Sequence, residues 1–205
     1  MKTAAALLLL LAAPALAAPL PAAMHAPAAG VQVAQAAATR TYRNAEMGYR
    51  LAFPGDWAAT PGDGTDNNVR LTLTPPATGA VCTVAIADSE RFRGLSQAQL
   101  DWSIANHPWF LEDWTDSLGT RFTNVTIKTP ATIKIGPRPA RYALADATDA
   151  KGAPTQLLMF HAITPGRTWH FTCGASGADA AAATAAFNAR RNEFMRVMST
   201  FAWDN

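Results

Sequence analysis

Residues 41–60 read TYRNAEMGYRLAFPGDWAAT. Tyr49, Leu51 and Phe53 alternate with Arg50 and Ala52, the period-two pattern of a strand with one buried face. Pro54 has no N–H to give a ladder and ends the strand. Gly55 and Asp56 then supply a turn, and Trp57 is expected to fold back as an aromatic plug. The stretch therefore reads as scaffold rather than site.

Working outward to the N-terminus, Lys2 precedes AAALLLLLAAPALA, an apolar run too short to span a bilayer, which closes on the small-residue pattern Ala15-Leu16-Ala17. A secretory signal peptide over residues 1–17 is expected, with cleavage before Ala18 and no Cys there to carry a lipid. Residues 18–39 are dominated by Ala and Pro with almost no charge, so they have little to bury and are predicted to be a disordered linker. A second Ala-x-Ala at Ala34-Gln35-Ala36 offers an alternative mature start.

Residues 40–205 have the length of a single domain with its own core. The formal net charge of +2 is carried by scattered Lys and Arg, which excludes the clustered basic footprint of a nucleic-acid binder. No later run approaches the length of about 18 apolar residues that a membrane span needs. The product is expected to be periplasmic or secreted.

Cys82 and Cys173 lie far apart in a chain bound for an oxidising compartment, which favours a disulfide over two buried thiols. Cys82, Val84 and Ile86 share one side of a strand in AVCTVAIAD, as do Trp169, Phe171 and Cys173 in RTWHFTC.

NVRLTLT alternates through Val69, Leu71 and Leu73, and PPATG turns it into the Cys82 strand. Ser96 and Gln99 form a capping-box pair, with Leu95 and Leu100 as a hydrophobic staple, so a helix starts at LSQAQLDWSIAN. Pro108 breaks that helix and is expected in the first turn of a second one ending at Gly119. Strands follow in NVTIKT, ATIKI, PARYALADA, TQLLMFHAIT and TWHFTCG. A closing helix puts Phe187, Phe194, Val197, Met198 and Phe201 on one face. These elements make an α+β fold, a central antiparallel sheet with helices on both faces.

YRNAEMGYRLAFPGDW, the later IKIGPRPARYALADA, a hairpin and a last helix ending in VMSTFAW together resemble the Mog/PsbP-like superfamily across residues 41–203. The most specific pieces are Gly48-Tyr49 with Phe53-Pro54 to Trp57, and the turn from Gly136 to Ala140. The resemblance implies an α/β/α sandwich module, DcrB-like or Eag-like, whose members bind and carry out no chemistry. A signal peptide departs from the Eag type, which is a cytoplasmic chaperone.

No catalytic motif is recognised. GASG, Gly174 to Gly177, is one residue short of a nucleophile elbow, and Ser176 reads as a cap or turn residue. DGTDNN, from Asp63 to Asn68, lacks the glycine and distal glutamate of a calcium loop and reads as a solvated turn. If Pro165 and Gly166 are the two central residues of the TPGR turn, His161 lies directly opposite His170 on one sheet face. Two imidazoles there are candidates to carry a metal or small ligand, though a metal needs further ligands, with His107, Met159 or an acid of unknown position on offer. The second candidate is aromatic: Trp102, Trp109, Phe110 and Trp114, of which Trp109, Phe110 and Trp114 are the expected partner-binding residues. The sequence thus points to a non-enzymatic binding or accessory module for an unidentified protein or small-ligand partner. No cofactor is assigned, and a metal or small-ligand carrier using His161 and His170, or an unrecognised hydrolase, stands as the alternative.

Overall fold

In the computed structural model the described residues are 38–76, 79–107, 109, 111–118 and 121–204. The expected signal peptide and nearly all of the expected linker lie outside them, as do Pro108, Phe110 and Gly119.

The chain runs through β1 (Thr39–Asn44), β2 (Tyr49–Pro54), β3 (Ala58–Pro61), β4 (Val69–Thr74) and β5 (Ala80–Asp88). A helical insert follows: α1 (Glu90–Arg93), α2 (Gln97–Asn106) and α3 (Leu111–Leu118). Then come β6 (Phe122–Ile135), β7 (Arg138–Asp149), β8 (Pro154–Thr164), β9 (Arg167–Ser176), α4 (Ala180–Ser199) and β10 (Ala202–Trp203). Seven strands form an antiparallel sheet in the order β3-β4-β5-β9-β8-β7-β6, and β1-β2-β10 form a second, smaller sheet.

The opening stretch is scaffold. Tyr49, Leu51, Phe53 and Trp57 are all buried, and the turn at Pro54 closes through the Trp57 N–H to the Pro54 carbonyl at 3.1 Å. Tyr49 stacks on Phe201 and meets Trp169 edge-on, so the small sheet shares the core of the large one. Three strands were not read from the sequence: β1, which pairs along all of β2, β3, which pairs with β4, and β10, which pairs with Tyr49 and Arg50.

The disulfide expected between Cys82 and Cys173 is present and joins directly opposed residues of β5 and β9. Ser96 makes both halves of the capping box with Gln99, while Leu95 of the expected staple remains more than a third exposed. α3 begins at Leu111, beyond Pro108. NVTIKT and ATIKI form one strand, β6, rather than two. Its register shifts between Thr123 and Thr126 and between Lys128 and Ala131, with positive φ at Asn124 and Thr129. A bulge on this edge strand is how Pro130 sits in a sheet without a missing ladder bond.

Sheet alternation gives the two faces different chemistry. One face presents Leu158, Phe160, Trp169, Phe171, Val84 and Ile86, and α4 seals it with Phe187, Phe194, Val197 and Met198. The helix cap is Asp179, whose carboxylate accepts from the Ala182 N–H at 2.8 Å, and not Ser176, which ends β9. Gly177 joins the two so tightly that a Cβ there would stand 2.3 Å from the Ala183 nitrogen. The opposite face carries the insert. Helices therefore lie on both faces of the sheet, as the sequence indicates.

Candidate functional site

Beneath the insert β7, β9 and β5 present many small or polar residues, among them Ala143 and Ala145 of β7, Thr168, Thr172 and Gly174 of β9, and Thr83, Ala85 and Ala87 of β5. β8, between β7 and β9, presents Leu157, Met159, His161 and Ile163. The insert touches down at two separate apolar patches. Leu100 and Ile104 of α2 pack on Ile163 with Phe92, while Trp114 and Leu118 of α3 pack on Ala143, Ala145 and Met159. Between the patches a cavity of about 710 Å³ remains, with His161, His170, Arg141, Thr168, Ser103 and Trp109 in its wall. Small side chains on the sheet and helices held apart by larger ones leave this space unfilled.

One row of the sheet crosses its floor: Arg141 opposes His161, His161 opposes His170, and His170 opposes Ala85. The TPGR turn sets that row, because Thr164 pairs with Arg167 across Pro165 and Gly166, and Gly166 has φ +76°. The expected facing of His161 and His170 is found, with their Nδ1 atoms 3.0 Å apart.

The Thr168 hydroxyl donates to the Ala87 carbonyl at 3.4 Å and lies 3.3 Å from His170 Nε2. Between the facing Nδ1 atoms one ring donates its N–H and the other accepts it. Both rings are neutral. Burial, reinforced by the Arg121 guanidinium, pushes the His170 imidazole down to about 3. Burial first, then His170 and Arg141, holds His161 well below its usual range.

Two guanidinium groups bracket this pair. Arg141 is only 7% exposed; its Nη2 donates to the Ser103 carbonyl at 3.3 Å and its Nη1 to Thr132 Oγ1 at 3.4 Å. Its Nε–H is buried without a partner among the described residues. Arg121 donates to Thr83 Oγ1 at 2.8 Å on the other side. Burial lowers the pKa of both arginines, and at Arg141 the Asp113 carboxylate opposes the effect. Sequence reading missed both. The signal for Arg141 was available: in PARYALADA it falls in phase with Ala143, Ala145 and Ala147, a cation on an apolar face.

The aromatic cluster divides. Trp114 is 2% exposed and belongs to the core under α3, which corrects its expected place on a contact surface. Trp109 is half-buried at the cavity wall, edge-on to Trp114 at 4.9 Å and 4.1 Å from the His161 ring. The exposed tryptophan is Trp102, at 61%, edge-on to His107. The expected contact at Phe110 lies outside the described residues.

Ser176 Oγ donates to Asp149 at 3.1 Å and lies 2.8 Å from Thr155 Oγ1, with no imidazole among these partners. In DGTDNN, Asp63 accepts from the Thr65 N–H and hydroxyl as a turn residue does, and Asn67 and Asn68 have positive φ. Among the described residues no group of three or more His, Cys, Asp or Glu is placed to hold a metal, and no helix is long and apolar enough to cross a membrane.

No family model and no curated protein matches the chain. Among solved structures, the cyanobacterial PsbP (CyanoP) of Synechocystis sp. PCC 6803 superposes with a TM-score of 0.54 at 12% identity, covering 87% of this chain and 99% of that one. LpqN of Mycobacterium tuberculosis, described as involved in cell envelope biogenesis, gives a TM-score of 0.47 at 8% identity, covering 82% and 91%. The first of these shows that the chain has a PsbP-like fold; the second is too distant a superposition to add to it.

Proposed function

We propose that this chain is an extracytoplasmic, non-enzymatic binding or accessory module that holds its partner through the helical insert and the cavity beneath it. The observation that carries the reading is the contrast between the two sheet faces. One is closed by α4 over a continuous aromatic core, and the other is bridged at two points over about 710 Å³ of space. Ligand sites fall in the range of about 300–1,000 Å³, with apolar walls and a few placed polar groups. The location rests on the leader-like residues 1–17 together with the Cys82–Cys173 bridge.

The absence of chemistry is inferred from basicity. An imidazole held near 3 is a poor general base at neutral pH, where catalysis favours a pKa close to the working pH. A metal carrier is the second reading, favoured by the 3.0 Å between the two Nδ1 atoms, which suits neighbouring ligands of one ion bound at about 2.0–2.1 Å. Arg121 and Arg141 flank the pair and oppose a cation, so elemental analysis of the purified protein is expected to find no stoichiometric metal.

The test fills the cavity. Ala87 lines it from β5, and Ala87→Phe places a ring inside. Native mass spectrometry after incubation with the extracytoplasmic fraction should show a bound species on the wild-type chain and none on the variant. Capture by both chains, or by neither, contradicts the reading.

A further inference from the structure

The cavity contains a cation built to meet an anion. Arg141 is more than nine-tenths buried, yet its bonds are long, 3.3 Å to the α2 backbone and 3.4 Å to Thr132, and its Nε–H meets no acceptor among the described residues. A buried charged donor left without a partner costs more than an ordinary lost hydrogen bond. Each Nη keeps an N–H beyond those long bonds, and the terminal pair of N–H groups of a guanidinium in the cavity wall matches the two oxygens of a carboxylate.

We propose that the cavity binds a small organic carboxylate, its head on Arg141 and its apolar body against Trp109, Phe92, Ile104 and Ile163. This rests on the binding-module reading and names the class of ligand. The walls set the charge. Asp113 and Asp116 line the same cavity, so a phosphate dianion would bring a second negative charge against two carboxylates. A simple cation would meet Arg141 and Arg91. An uncharged hydrocarbon would desolvate the cavity-lining guanidinium of Arg141 without pairing its charge. The neutral imidazoles complete the floor without adding charge. Trp109, half-buried against His161 and Trp114, offers a ring face or edge for the ligand's apolar part.

Calorimetric titration of the mature chain with naphthoate and with naphthamide, its uncharged analogue of nearly equal shape, tests the proposal. Naphthoate should bind at one site per chain and at least tenfold more tightly than the amide. Arg141→Gln should bring naphthoate down to the level of the amide and leave the amide unchanged. Arg141→Lys, which keeps the charge and loses the fork, should fall between. Equal affinity of the wild-type chain for both compounds, or no binding of either, overturns the carboxylate assignment even if Arg141→Gln fails to fold. Naphthoate affinity unchanged in a folded Arg141→Gln overturns it equally. If Ala87→Phe still loses the native bound species while naphthoate is not preferred, the ligand class falls and the binding reading stands.

Discussion

At the scale of single residues, His161 and His170 are neutral because the sheet and insert bury them beside two arginines, and their stability contribution follows with a definite sign. Their folded-state pKa values lie below the unfolded value of about 6.5, so the unfolded chain binds more protons as the medium acidifies. The contribution is complete above that value and is lost as pH falls from about 6.5 toward the depressed folded values, by up to about 1.4 kcal/mol per pH unit for each ring. Arg141 on β7 and Arg121 face the pair, and Asp113 and Asp116 of α3 share the cavity wall, so added protons meet both signs of charge. Urea denaturation between neutral pH and the onset of carboxylate titration should show a steeper loss for the wild-type chain than for His161→Gln/His170→Gln. Equal slopes would mean the rings are charged or exposed. The facing of the two histidines was legible because a two-residue turn fixes register, whereas the hydrogen-bond chain through Thr168 depends on β5, about 80 residues away in sequence, which no local pattern encodes.

At the scale of elements, the insert carries the site, and its tryptophans have opposite roles. Trp114→Ala removes a side chain that is 2% exposed in the α3 patch and is expected to cost about 3–5 kcal/mol. Trp102→Ala removes one that is 61% exposed and should change stability by no more than about 0.5 kcal/mol. Thermal unfolding of the two variants side by side checks this; similar losses would mean that α2 buries Trp102 or that α3 does not seat Trp114. The start of α2 was legible from Ser96 and Gln99, since a capping box is a local signal. β10 was not, because two residues show no period and their pairing with Arg50 and Tyr49 spans most of the chain. β6 looked like two strands because Thr129-Pro130 resembles a break, and the bulge that absorbs it exists only once β7 pairs alongside.

At the scale of the molecule, the fold divides labour between the faces of one sheet. Phe160, Phe171 and Trp169 face α4 and tie in the small sheet through Tyr49 and Phe201, with the disulfide pinning β5 to β9 on the same side. The other face gives up density to keep a cavity, and local stability is expected to be lowest where apolar contacts are fewest, in the insert. Alternation along each strand made the α4 face readable; the cavity face was not, because alanine, threonine and glycine there announce neither a core nor a site. The measurement that tests the division most directly is amide hydrogen exchange of the chain, alone and saturated with the species it captures from the extracytoplasmic fraction. Protection should rise in α2, α3 and the strand segments around Arg141, His161 and His170, and stay unchanged in α4 and β1. Protection gained on α4 or the small sheet, with the insert unaffected, would contradict the account.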